Sequence, residues 1–220
     1  MNKNILVALI ILFNINNCLA TENQTFEKIF KDKISAASLN IDEGDVEVQS
    51  HAESFVKVLY TPHAEVCIVK IDAINNKLNI KNNKKENGCS CDYKIFLPED
   101  VAVNANLGAG TINVNGLKSK MEFNLGAGDV SIFNTTGNIN LNMGAGNVKY
   151  SPALSSAIQN FEINLGSGEL ECAYPKDTSV KLPEYSFMAK LISSVKIVDS
   201  NYNYEISGSM GSGTVTLTYK

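Results

Sequence analysis

The sequence predicts an all-β chain: a single-stranded right-handed β-helix, or β-solenoid-like stack of short strands, with rungs of about 18 residues. Two observations predict it. Leu107-Gly108-Ala109-Gly110, Leu125-Gly126-Ala127-Gly128 and Met143-Gly144-Ala145-Gly146 recur at a spacing of 18 residues. Looser copies stand at Leu165-Gly166-Ser167-Gly168 and Met210-Gly211-Ser212-Gly213, and a degenerate one at Ile41-Asp42-Glu43-Gly44. A fixed period of this size marks one supersecondary unit stacked on its neighbours, because a single unit cannot bury its own apolar face. On both sides of each glycine pair, apolar and polar residues alternate, as in Phe123-Asn124-Leu125 and Val130-Ser131-Ile132. That alternation is the signature of strands with one buried face.

The first 20 residues read as a signal peptide. Lys3 supplies a basic start, Ile5 to Phe13 an apolar run, and Cys18-Leu19-Ala20 a small-residue cleavage site. The apolar run is too short for a membrane-spanning helix, which needs about 20 residues. Lipid attachment at Cys18 is disfavoured because Ile15-Asn16-Asn17 supplies no small residues before it. The expected product is exported to the periplasm, the cell surface or the medium, with no membrane span. Residues 21–220 then form one β-solenoid domain.

Within it, residues 38–100 are expected to hold less regular strands, at Phe55–Tyr60, Val66–Ile71, Leu78–Ile80 and Tyr93–Leu97. The Lys81–Lys85 run reads as a solvated turn. Residues 101–220 hold the Gly-x-Gly rungs. The step from Leu125 to Val130 is odd, so the alternation changes phase across each glycine pair, which calls for a corner or bulge. Gly44, Gly108, Gly110, Gly126, Gly128, Gly144, Gly146, Gly166, Gly168, Gly211 and Gly213 are therefore assigned to structural turns. The inward phase predicts a core of Val46, Val48, Ile112, Val114, Phe123, Leu125, Val130, Ile132, Met143, Val148, Leu165, Leu170, Val215 and Leu217. Gly168 and Gly213 stand 45 residues apart, which suggests a poorly marked rung plus an insertion around Pro175 to Ser194.

Asn40, Asn106, Asn124, Asn142 and Asn164 each precede the apolar residue of the turn motif. Stacked one above another, these amides are expected to form a hydrogen-bonded ladder on the outer face; a ligand-binding stripe is the alternative.

The chain carries 19 basic residues, all lysine, against 23 acidic ones, a net charge of −4. With no arginine and an acidic balance, it is a poor partner for nucleic acid. Cleavage would leave Cys67, Cys89, Cys91 and Cys172. An even number in an exported chain points to a disulfide, here Cys67 with Cys89 or Cys91. Cys172 stands at a buried rung position and reads as a small core hydrophobe.

Leu39-Asn40-Ile41-Asp42-Glu43-Gly44-Asp45-Val46-Glu47-Val48, Lys94-Ile95-Phe96-Leu97-Pro98-Glu99-Asp100-Val101, the Leu-Gly-Ala-Gly repeats and Gly211-Ser212-Gly213-Thr214-Val215 together resemble the putative-adhesin, or toastrack-like, family of bacterial exported β-solenoids. The resemblance runs from about Ser38 to the end of the chain. It implies a role in binding or structure at the cell envelope and carries over no catalytic residue.

The residues themselves argue against catalysis. His51 and His63 both precede the repeats, and neither a Gly-x-Ser-x-Gly elbow nor a His-Glu-x-x-His is present. Strands rather than helices follow every Gly-x-Gly, which removes a dinucleotide cradle. Asp129 is the only aspartate directly after the five Gly-x-Gly pairs, too few for calcium-binding turns. No cofactor and no metal are expected. The expected function is an exported, adhesin-like binding or structural protein without enzyme activity, whose partner is a protein or glycan of the envelope or cell surface. The alternatives are a carbohydrate-binding or carbohydrate-active β-helix protein and an envelope stress-sensing partner protein; the oligomeric state stays open.

Overall fold

A computed structural model describes residues 24–63, 67–83, 89–182 and 188–220. The expected leader, residues 1–20, lies outside them. The described residues form fifteen strands and no helix, so the chain is all-β. They are β1 Phe26–Phe30, β2 Ala36–Glu43, β3 Val46–His51, β4 Val56–Pro62, β5 Ile68–Ile74, β6 Lys77–Asn83, β7 Cys91–Pro98, β8 Ala102–Asn115, β9 Met121–Phe133, β10 Ile139–Ser151, β11 Gln159–Tyr174, β12 Ser179–Lys181, β13 Lys190–Ser193, β14 Lys196–Ile197 and β15 Tyr204–Tyr219.

Five long strands, β8, β9, β10, β11 and β15, pair in parallel so that equivalent repeat positions stand opposite one another. Leu125 faces Leu107 and Met143, and Val130 faces Ile112 and Val148. Each long strand is one repeat carried through its glycine corner. In β9, Met121, Phe123 and Leu125 are buried before the corner, and Val130 and Ile132 after it. The phase change read from the sequence is this bend, and it turns both halves of the strand toward one hydrophobic cluster. All fourteen residues predicted for the core are buried.

The corner divides the strands into two faces. On the first, which takes the halves before the glycines, β2 pairs β8, β6 pairs β2 and β5 pairs β6. On the second, β3 pairs β8, followed outward by β7, β4 and β1. β2 and β3 thus form a full rung against β8 although 66 residues separate Asn40 from Asn106. The strand β1 had no counterpart in the sequence reading, because its five residues carry only a half-buried phenylalanine at each end.

Two expectations are corrected. The poorly marked rung does not sit between the fourth and fifth glycine corners: β15 pairs β11 directly, with Leu165 opposite Met210 and Gly168 opposite Gly213. Ser179–Lys181 and Lys190–Ser193 instead lie beyond β15, where β12 and β13 pair its outer edge and β14 pairs β12. The physical reason is the corner. The Gly-Ser-Gly of β15 nests on the Gly-Ser-Gly of β11, whereas β12, β13 and β14 contain no glycine and take the end of the stack. The second correction concerns the Lys81–Lys85 run. Lys81 to Asn83 belong to β6, and Asn82 is buried, held there by hydrogen bonds to backbone groups; Lys84 and Lys85 lie outside the described residues.

Candidate binding groove

The asparagine column is a continuous ladder. Asn106 Nδ2 donates to Asn40 Oδ1 at 2.9 Å, Asn124 to Asn106 at 2.9 Å, Asn142 to Asn124 at 3.0 Å and Asn164 to Asn142 at 2.9 Å. Ser209 Oγ closes it, donating to Asn164 Oδ1 at 3.0 Å. Each asparagine follows a buried residue and precedes another, so alternation points its amide outward. A primary amide has two N–H donors and two acceptor lone pairs, and the ladder uses one of each. Asn106 and Asn142 spend the second donor on Asn104 and Asn140 in the neighbouring outer column. Asn124 and Asn164 make no second donor bond among the described residues; Glu122 and Glu162 hold the outer-column positions beside them.

Beside the ladder runs a column of Gly108, Gly126, Gly144, Gly166 and Gly211, which forms the floor of a shallow groove. One depression of about 630 Å³ is lined by Asn124, Asn142, Asn164, Ser209 and the glycines from Gly126 to Gly211. A second, of about 510 Å³, continues past Asn124 to Asn106, Asn40, Gly108, Asp42, Asn82 and Lys81. The groove crosses seven strands from β6 to β15, a length of roughly 29 Å at the usual strand spacing. The glycine floor is obligatory: a β-carbon on Gly126 would overlap the Gly108 carbonyl oxygen of the strand below. The second glycine of each corner has its own constraint. Gly128 adopts φ 144°, and its β-carbon would overlap the Gly110 carbonyl. Gly44, Gly110, Gly146, Gly168 and Gly213 share that backbone region.

The groove is nearly uncharged. Its charged lining residues are Asp42 and Lys81, both at the β6 end, and no aromatic ring lines it. Glu122 borders the ladder, where hydrogen bonds from Lys120 and Asn104 lower its carboxyl pKa.

Across the corner, the residues after the second glycine form another column. Asp45 Oδ1 accepts from the backbone N–H and hydroxyl of Thr111 at 3.1 and 2.8 Å, and Asp129 Oδ1 accepts from the backbone and side-chain N–H of Asn147. His63 Nε2 and Asp92 Oδ2 lie 2.7 Å apart, and Asp92 Oδ1 accepts the Asp45 N–H. These carboxylates brace the corner. No group of three or more His, Cys, Asp or Glu side chains able to hold a metal occurs among the described residues. The His63–Asp92 contact and the buried Asn82 were not legible beforehand, since their partners are far away in the chain.

Cys67 and Cys89 are bridged. Cys91 and Cys172 are buried thiols, pushed up by burial to about 11 and about 12. Cys172 lies between Tyr150 and Leu217 in register, as the repeat position implies.

No family model and no curated protein matches the chain. It is similar, at low identity, to solved structures described as a putative cell adhesion protein, a putative adhesin and a putative lipid binding protein. A putative cell adhesion protein from Clostridium sporogenes is 14% identical, with 90% of this chain and 100% of that chain covered and a TM-score of 0.49. A putative adhesin from Bacteroides fragilis is 11% identical, with 90% and 97% covered and a TM-score of 0.37. A putative lipid binding protein from Parabacteroides distasonis is 14% identical, with 90% and 97% covered and a TM-score of 0.37. No helix among the described residues is long and apolar enough to cross a membrane.

Proposed function

We propose that the protein is an exported, adhesin-like binding protein of the cell envelope or cell surface, a β-solenoid domain over residues 21–220 that acts without catalysis. Its contact surface is the groove beside the asparagine ladder, and its ligand is an extended, uncharged segment of a protein or glycan. The observation that supports this reading is the pair of unspent side-chain N–H groups on Asn124 and Asn164 along a groove whose only charged lining residues are Asp42 and Lys81. Amides at strand spacing offer donors and acceptors to a polar, neutral polymer, and the glycine floor lets it approach the backbone closely. Acid–base hydrolysis needs a carboxylate pair flanking the scissile bond, and the groove lining supplies Asp42 alone. That favours recognition over a carbohydrate-active role.

Glycan and peptide arrays, probed with the native protein and with an Asn124→Ala/Asn164→Ala variant, test it. Capture should fall at least tenfold in the variant and persist in Lys149→Ala/Thr216→Ala, on the other face. Equal capture by both variants would overturn the assignment of the groove.

A further inference from the structure

The two ends of the stack fit one another. Beyond β15, the first face continues through two strands, β12 and β14, and the second through β13 alone. Before the β2–β3 rung, the first face continues through β6 and β5, and the second through β7, β4 and β1. One end is therefore a strand short on the second face, and the other end projects a strand further on that same face. Placed end to end, two copies would have four strands between β15 of one and the β2–β3 rung of the next, on both faces alike.

The edges are also chemically suited to closure. Among the described residues, β1, β5, β13 and β14 each have a strand partner on one side only. Such edges present unpaired N–H and C=O groups and pair readily with another chain. Of the ten large hydrophobic side chains exposed among the described residues, seven lie at these ends: Ile29, Ile68 and Ile74 at one, and Met188, Leu191, Ile192 and Ile197 at the other. Direction agrees as well. β1 is antiparallel to β4, which is antiparallel to β7, so β1 runs the same way as β13 and would extend its parallel pairing.

We propose that this end-to-end surface binds a second copy of the same chain, with β1 of one molecule added to β13 of the next and β5 set against β14. The contact is head-to-tail, so it does not close on itself and propagates as a filament with a repeat of roughly 48 Å, ten strand spacings. It stands independently of what the groove binds.

Sedimentation velocity on the protein recovered from cells expressing the full-length gene tests this, alone and as Ile29→Lys or Ile192→Lys. Both positions are about half exposed, so both variants should keep the native melting temperature. The native protein should gain mass with concentration without reaching a fixed size. Each variant alone should remain monomeric, and an equimolar mixture should yield a species of twice the monomer mass and stop there, because one intact end remains on each partner. A native protein that stays monomeric up to millimolar concentration overturns the proposal. So does a variant that still dimerises with itself, which would mark a head-to-head contact.

Discussion

Asn142 donates its side-chain N–H to Asn124 at 3.0 Å across 18 residues, and Asn164 repeats the bond to Asn142 at 2.9 Å across 22. The extra residues leave the connection from β10 to β11 rather than the strands, so the register is kept by amide, glycine and core residue together. Asn142→Ala removes two ladder bonds at an exposed site. It should lower stability by about 1 to 2 kcal/mol at the usual net value of such bonds, read from urea unfolding.

Gly128→Ala should destabilise the protein by about 3 kcal/mol or more, since it combines a strained φ with overlap of the β-carbon on the Gly110 carbonyl. Ser212→Ala, at an exposed position between two corner glycines, should change the urea midpoint little.

Leu125→Ala leaves a cavity between Leu107 and Met143 in the stacked core. The expected cost is about 2 to 5 kcal/mol by equilibrium unfolding.

The thiols of Cys91 and Cys172 should resist alkylation in the folded protein and react on unfolding. Burial raises both above the ordinary value of 9.0, to about 11 and about 12. Above pH 9 the unfolded chain releases these protons while the folded chain keeps them. Stability should therefore be fully present below pH 9 and fall as pH rises toward 11 to 12, a slope that Cys172→Ala reduces.

Reducing the Cys67–Cys89 bridge frees a loop of 22 residues and should cost about 3 kcal/mol. Mass mapping without reductant should find that bridge and leave Cys172 unpaired.

The parts of the fold that a period can encode were legible. Leu107, Leu125 and Met143 mark one position in three successive strands, and the odd step to Val130 marks the corner between them. The asparagine ladder followed from the same register. What escaped was whatever depends on order in space. Gly168 and Gly213 flank a 45-residue gap, and nothing in that gap announces that β15 slips beneath β12 and β13. The groove was legible only in part: its amide wall follows from the repeat, but its closure by Lys81 and Asn82 needs β6 laid beside β2, a pairing that alternation in a short segment does not specify.

The central claim is that ligand lies along the amide wall, and the side-chain amide signals of the asparagines report on it directly. In a nitrogen–proton NMR titration with a captured ligand, the side-chain signals of Asn124, Asn142 and Asn164 should shift together with the backbone signals of Gly126, Gly144 and Gly166. Shifts confined to Lys149, Glu171 and Thr216 on the opposite face, with the ladder signals unmoved, would contradict the account.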